Sequence, residues 1–222
     1  MVGRFCFEPM NERCLIDTQW LARQPYESAW QILQARVEAV VEGLDSEVIF
    51  SCEHEPVYTT GRRGVDNRLG ALLPAPVVHS DRGGEMTFHG PGQLMLYPII
   101  HLRQRDIGVK AYVHLLEQSC INMLNSQGVE ATRRCGFPGV WTEQGKVAAL
   151  GVRITRGVAY HGMALNVDVD PAWFSAINPC GLQSGVVSLS RFVEPVPLPE
   201  LAAIWMQSFS DLLGSHEHSK KA

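Results

Sequence analysis

Apolar residues recur at helical spacing in three places along the chain. Tyr26, Trp30, Leu33, Val37 and Val41 predict a helix over Pro25 to Val41, with proline suited to its first turn and Gly43 to its end. Tyr112, Val113, Leu116, Cys120, Met123 and Leu124 predict a second over Val109 to Gln127, stopped by Gly128. Leu201, Ile204, Trp205, Phe209 and Leu212 predict a third that begins after Pro197 and Pro199. Between the helices the apolar runs are short and rich in β-branched residues. Val48 to Phe50, Val77-Val78, Met86 to Phe88, Leu94 to Ile100, Val140 to Thr142, Val147 to Ile154 and Val158 to Val167 read as strands, and Gln144-Gly145 as a hairpin turn. Strands come in runs with the helices set apart, so the expected class is α+β, with a mixed, largely antiparallel sheet and flanking helices. No repeat or linker divides the chain. One domain over residues 1–214 is expected, with a polar tail, residues 215–222, that frays.

Composition narrows the function classes. A net charge of -4 and a pI near 6.1 give no global attraction to nucleic acid or to an anionic membrane. The longest uncharged stretch, Pro171 to Ser190, is broken by prolines, glycines, Asn178 and Gln183, and reads as buried loop and strand rather than a span. Met1 to Asp17 scatters Arg4, Glu8, Glu12 and Arg13 through its apolar residues and does not read as a secretory signal. The cysteines (Cys6, Cys14, Cys52, Cys120, Cys135 and Cys180) form no C-x-x-C pair, so free thiols in a reducing cytoplasm are expected. The arginines are grouped as Arg62-Arg63-Arg68, Arg82, Arg103-Arg105 and Arg133-Arg134. Such groups are either solvated loops or a local face for an acidic partner.

Four segments concentrate chemistry. Asp81 to Pro98 places Gly83, Gly84, Gly90 and Gly92 around a short strand, with Arg82, Thr87 and His89 among them. Glycines at this density let backbone approach a ligand and turn N–H groups inward, although a tight hairpin needs them too. No G-K-[ST] follows, which excludes a Walker-type phosphate loop. Lys146 opens an otherwise apolar strand; taken alone, it reads as a snorkelling lysine. His161 precedes a glycine and an apolar strand, and alone reads as a satisfied core histidine. Cys180 sits between Pro179 and Gly181 on a loop, where substrate can reach it, and a nearby cation such as Lys146 would favour its thiolate. Sequence spacing does not show that Lys146 and Cys180 meet.

These segments together resemble the signature of the lipoyl(octanoyl) transferase family. The resemblance is carried in order by Arg82-Gly83-Gly84, Thr87 to Leu94, Tyr97-Pro98, Pro138 to Trp141, Lys146 to Arg153, His161-Gly162, Ala164 to Asn166 and Pro179-Cys180-Gly181. It implies a fold like the catalytic domain of biotin and lipoate protein ligases. The implied activity is transfer of octanoyl from octanoyl-acyl carrier protein to lipoyl domains of 2-oxoacid dehydrogenase E2 subunits and to the glycine-cleavage H protein. On the family's pattern Cys180 carries the acyl group as a thioester and Lys146 lowers its pKa, with no cofactor and no metal. Substrate contacts fall on Arg82, Gly83, Gly84, Glu85, Met86, Thr87, Phe88 and His89, on Ala149, Leu150 and Gly151, and on Gly162, Met163 and Ala164. One departure is Val187, where the pattern has threonine before Ser188-Leu189. The alternatives are an ATP-dependent lipoate or biotin ligase, which needs no cysteine nucleophile, and a non-catalytic module that binds acyl carrier protein.

Overall fold

The computed structural model describes residues 16–62, 72–177 and 185–219. Its elements are β1 (Asp17–Gln24), α1 (Tyr26–Val41), β2 (Val48–His54), β3 (Val57–Thr60), β4 (Val77–His79), β5 (Thr87–His89), β6 (Gln93–His101), α2 (Val109–Ser126), β7 (Thr132–Arg134), β8 (Phe137–Trp141), β9 (Lys146–Thr155), β10 (Val158–Asn166) and α3 (Leu198–Ser219), with 3₁₀ turns at Pro171–Ala176 and Leu189–Arg191. The third helix thus runs past Ser215, where fraying was expected.

A seven-stranded sheet in the order β1-β2-β6-β10-β9-β8-β7 forms the centre, and a three-stranded sheet, β4-β3-β5, lies apart from it. In the large sheet only the β1–β2 pairing is parallel. The class is therefore α+β, as the run of strands implied. Side chains of β6 alternate between the two faces. Leu94 and Leu96 enter a core shared with α2 and α3, where Trp205 and Phe209 stack at 5.0 Å. Met95, Tyr97 and Ile99 enter a second core beneath α1, with Leu33, Val37 and Phe50. A fully buried aliphatic side chain contributes about 1.5–3 kcal/mol, so these two faces supply most of the cohesion.

Both glycine stops work by the same geometry. After α1 the Gly43 and Leu44 amides donate back to the Val40 and Ala39 carbonyls, with Gly43 at φ +70°. After α2 Gly128 and Val129 donate to Asn125 and Leu124, with Gly128 at φ +80°. This double bond across a left-handed glycine satisfies carbonyls that the helix leaves open.

Strands β1, β3 and β7 were not predicted. β1 (DTQWLARQ) and β7 (TRR) are polar edge strands without a buried alternating face, so their periodicity is weak. The β1 register also shifts between Trp20 and Arg23, where Ala22 takes φ +56°, a bulge that bends the edge.

Candidate active site

A cleft of about 940 Å³, including its open mouth, is lined by β6, β10 and β9 of the large sheet and by the glycine-rich loop. Its apolar lining includes Met86, Met95, Leu150, Met163, Ala164 and Phe174. Lys146 and Trp141 stand in it together with Val186, and Tyr26, Tyr97 and His161 also line it. The segments around Arg82, Lys146 and His161, far apart in the chain, therefore share one cavity. Of the expected contact residues, Arg82, Gly84, Glu85, Met86, Thr87, His89, Ala149, Leu150, Gly151, Gly162, Met163 and Ala164 line it, whereas Gly83 and Phe88 are not among the lining residues. Phe88 instead packs into a small core with Tyr58, Phe174 and Ile177, stacked on Trp173 at 4.7 Å. Gly83 passes behind the lining, its amide donating to the Val152 carbonyl at 3.2 Å.

Lys146 is held by backbone on both sides of its residue. Its amide donates to the Gly185 carbonyl at 3.0 Å and its carbonyl accepts from Val187 at 3.0 Å, a parallel bridge to Val186. Its Nζ lies 5.3 Å from the centre of the Trp141 ring, and Arg134 covers a ring of the same residue at 4.3 Å. The stem of Lys146 runs against Gly139, at φ +127°, where an added Cβ would stand 2.4 Å from the Lys146 Cε. Glu117, buried on α2, fixes that glycine by accepting from its amide at 3.0 Å and pairs with Arg133 at 3.1 Å. Arg133 also donates to the His114 carbonyl and to Gln118. Its guanidinium is thus tied to α2.

Arg82 is likewise tied inward. Its guanidinium donates to Thr59 Oγ1, to the Thr59 carbonyl at 2.7 Å, to the Glu85 carbonyl at 2.8 Å and to the Gly83 carbonyl at 3.0 Å. It pins the glycine-rich loop to β3, and only part of its surface faces the cleft. His89 is joined to Gln93 Oε1 at 2.8 Å, Gln93 donates to Asn166 Oδ1 at 2.8 Å, and Asn166 donates to the Val187 carbonyl. Because Gln93 accepts there, the His89 proton sits on Nδ1 and leaves Nε2 an acceptor. Burial first, then the charges of Arg82 and His54, hold the His89 pKa well below its ordinary value.

His161 reaches the cleft through strained backbone. Alternation along β10 would send it with Ala159 and Met163 toward α2 and α3. At φ +59° it turns the other way, stacks on Trp30 at 4.6 Å and donates to Asp81 at 2.7 Å, beside Tyr160, which donates to the other Asp81 oxygen at 2.6 Å. The bend is possible because the register places Pro98, which has no amide hydrogen, opposite this point. Gly162 follows at φ +158°, and a Cβ there would lie 2.3 Å from the Leu96 carbonyl. Burial raises the Asp81 pKa, but the bonds from His161 and Tyr160 outweigh it and leave the carboxyl below its usual range.

Cys180, with the turn around it, lies outside the described residues. Among the described cysteines, Cys52 and Cys120 are buried with their thiol pKa values pushed up by burial, and Cys135 is exposed. Ser188 bonds both the amide and the carbonyl of Val169, while Val187 packs against the core and uses only its backbone toward Lys146 and Asn166. Sequence reasoning did not single out Tyr26, Gln93, Met95, Tyr97, Trp141, Asn166 or Phe174 as lining residues. Gln93, Tyr97, Trp141 and Asn166 stand inside the runs that carried the resemblance, so the signal for them was present. No group of His, Cys, Asp and Glu among the described residues could hold a metal, and no described helix is long and apolar enough to cross a membrane.

The lipoyl protein ligase A/B catalytic domain matches residues 25–210. An octanoyltransferase of Halorhodospira halophila is 45% identical over 75% of this chain and 76% of its own length. One of Shewanella piezotolerans is 44% identical over 87% of this chain and 88% of its own. In fold, the chain is similar to lipoate-protein ligase A bound with ATP, with a TM-score of 0.69 at 15% identity over 89% of this chain and 85% of that one. It is also similar to the biotin protein ligase of Aquifex aeolicus, with a TM-score of 0.58 at 13% identity over 91% and 72%. With the cleft, the lysine and the glycine-rich loop in one place, this chain belongs to the lipoyl protein ligase A/B catalytic family, in its octanoyltransferase branch.

Proposed function

We propose that the chain moves an octanoyl group from octanoyl-acyl carrier protein to a lysine of lipoyl domains, those of 2-oxoacid dehydrogenase E2 subunits and the glycine-cleavage H protein, through a thioester on Cys180. The observation that carries this reading is the stitching of Lys146 to Gly185 and Val187, the segment that follows Cys180 in the chain, on the lining of an apolar cleft. An ammonium on Lys146 favours the Cys180 thiolate. The thiolate attacks the donor thioester carbonyl, the carbon–sulfur bond to the carrier breaks, and the carrier thiolate leaves. The acceptor amine then attacks the Cys180 thioester, a carbon–nitrogen bond forms, and Cys180 leaves as thiolate again. The departing carrier thiolate takes a proton from the Lys146 ammonium, and neutral Lys146 then accepts the proton lost by the acceptor amine. Thioester exchange is close to thermoneutral and amide formation is downhill, so no ATP is required. Splitting the transfer into two such steps is the advantage of covalent catalysis.

Incubation with octanoyl-acyl carrier protein and no acceptor should add one octanoyl group by intact mass, labile to hydroxylamine and absent in Cys180→Ala. An adduct that persists in Cys180→Ala, or turnover that requires ATP, sinks the reading and favours an adenylating ligase.

A further inference from the structure

The cleft has a closed end. From Lys146, the first residue of β9, it follows β9 and β10 toward Val152, which pairs with His161. There Tyr26, Tyr97 and His161 stand across it. Each has its polar tip committed elsewhere: Tyr26 donates to Ser80 at 3.0 Å, Tyr97 bonds His54 Nε2 at 2.8 Å, and His161 bonds Asp81. With those tips satisfied, the rings offer mainly carbon to the cleft. Behind them, between the same three rings and Ala29, Trp30 and Leu33 of α1, the packing leaves no room for a water molecule. They are therefore a buried wall backed directly by α1.

We propose that this wall is the chain-length stop for the acyl group. The proposal rests on the acyl-transfer reading above. Lys146 fixes the reacting end, so the ω-end of the chain points along β9 and β10 to the wall, and methylenes beyond it have no room. One methylene too many in a closed apolar pocket changes specificity by roughly 10- to 200-fold. Tyr26 is the gate on the helix side and Tyr97 the gate on the sheet side. Cutting back either removes ring volume from the wall and makes room for further methylenes without touching Lys146.

The test measures kcat/KM for hexanoyl-, octanoyl-, decanoyl- and dodecanoyl-loaded acyl carrier protein with a fixed lipoyl-domain acceptor. Wild type should fall at least about 10-fold for each step past its preferred length. Tyr26→Ala and, independently, Tyr97→Leu should raise the dodecanoyl-to-octanoyl ratio by about 10-fold or more, while Tyr26→Phe, which keeps the ring, leaves the ratio unchanged. A flat length profile in wild type overturns the proposal, and needs no variant to fold. So does an unchanged ratio in whichever truncation gives a native melting transition. Wild type that accepts none of the thioesters refutes the acyl-transfer reading instead, so the two failures are distinguishable.

Discussion

Gly139 shows how much one missing side chain decides. At φ +127° it occupies backbone space open essentially to glycine, and the stem of Lys146 fills the volume a Cβ would take. Gly139→Ala should therefore cost about 1–3 kcal/mol of stability from strain alone. It should also displace Lys146 and lower the octanoyl-transfer rate roughly 100-fold, the penalty of moving a catalytic group by about an ångström. A melting scan and a thioester assay read the two effects separately, and a variant that melts lower but transfers at the wild-type rate would uncouple glycine from lysine. Lys146 itself is tested by its effect on a thiol. In a Cys135→Ser background, which removes the exposed cysteine among the described residues, Lys146→Met should depress iodoacetamide labelling of Cys180, read by peptide mass, at neutral pH and move its labelling curve to higher pH. Identical curves would mean that Lys146 does not set the thiolate.

Among the elements, α2 reaches the site although it packs mainly on α3. Its Glu117 carboxylate bonds the Gly139 amide and pairs with Arg133, whose side chain is 31% exposed. Glu117→Ala strands a buried amide and a half-buried guanidinium, and should cost about 3 kcal/mol in denaturant unfolding. Glu117→Gln keeps an acceptor for Gly139 and should recover more than half of that loss; equal losses would assign the effect to the charge on Arg133. This tie also marks where the sequence stops being legible. The helices, with their glycine stops, and the buried strands β6, β9 and β10 were plain because apolar period and turn residues agree there. β1 and β7 were not, because a polar edge has no face to advertise, and β3 was not, because its four residues, buried on both faces, are too short to show a period. The side of β10 on which His161 emerges was hidden as well, since simple alternation predicts the opposite face and only the Pro98 opposite it permits the turn. The motif residues were visible as types, but the Thr59 carbonyl and Glu117 carboxylate that hold Arg82 and Arg133 lie far off in the chain and could not be read from spacing.

For the molecule as a whole, buried histidines govern behaviour in acid. Burial lowers the pKa of His54 to about 4, and His89 is also pushed down by burial. A histidine depressed in the folded state takes up its proton first when unfolded, so the unfolded chain binds more protons below the ordinary value of 6.5. Stability is thus fully present above about pH 6.5 and falls as pH drops from there toward 4, by about 1.4 kcal/mol per unit for each such histidine. Thermal melts between pH 8 and pH 5 should show a flat upper range and a decline that begins near 6.5, and a midpoint independent of pH over that range would contradict the burial argument. The two ends of the large sheet carry a further consequence, for the solution rather than the fold. At one end β1 is broken by its bulge at Ala22, and at the other β7 is three residues long and bears Arg133 and Arg134. Neither offers a second copy an uninterrupted ladder of hydrogen bonds, so strand-to-strand self-association has no template at either edge. Light scattering at rising concentration should accordingly show no growth of sheet-edged aggregates while the native fold persists.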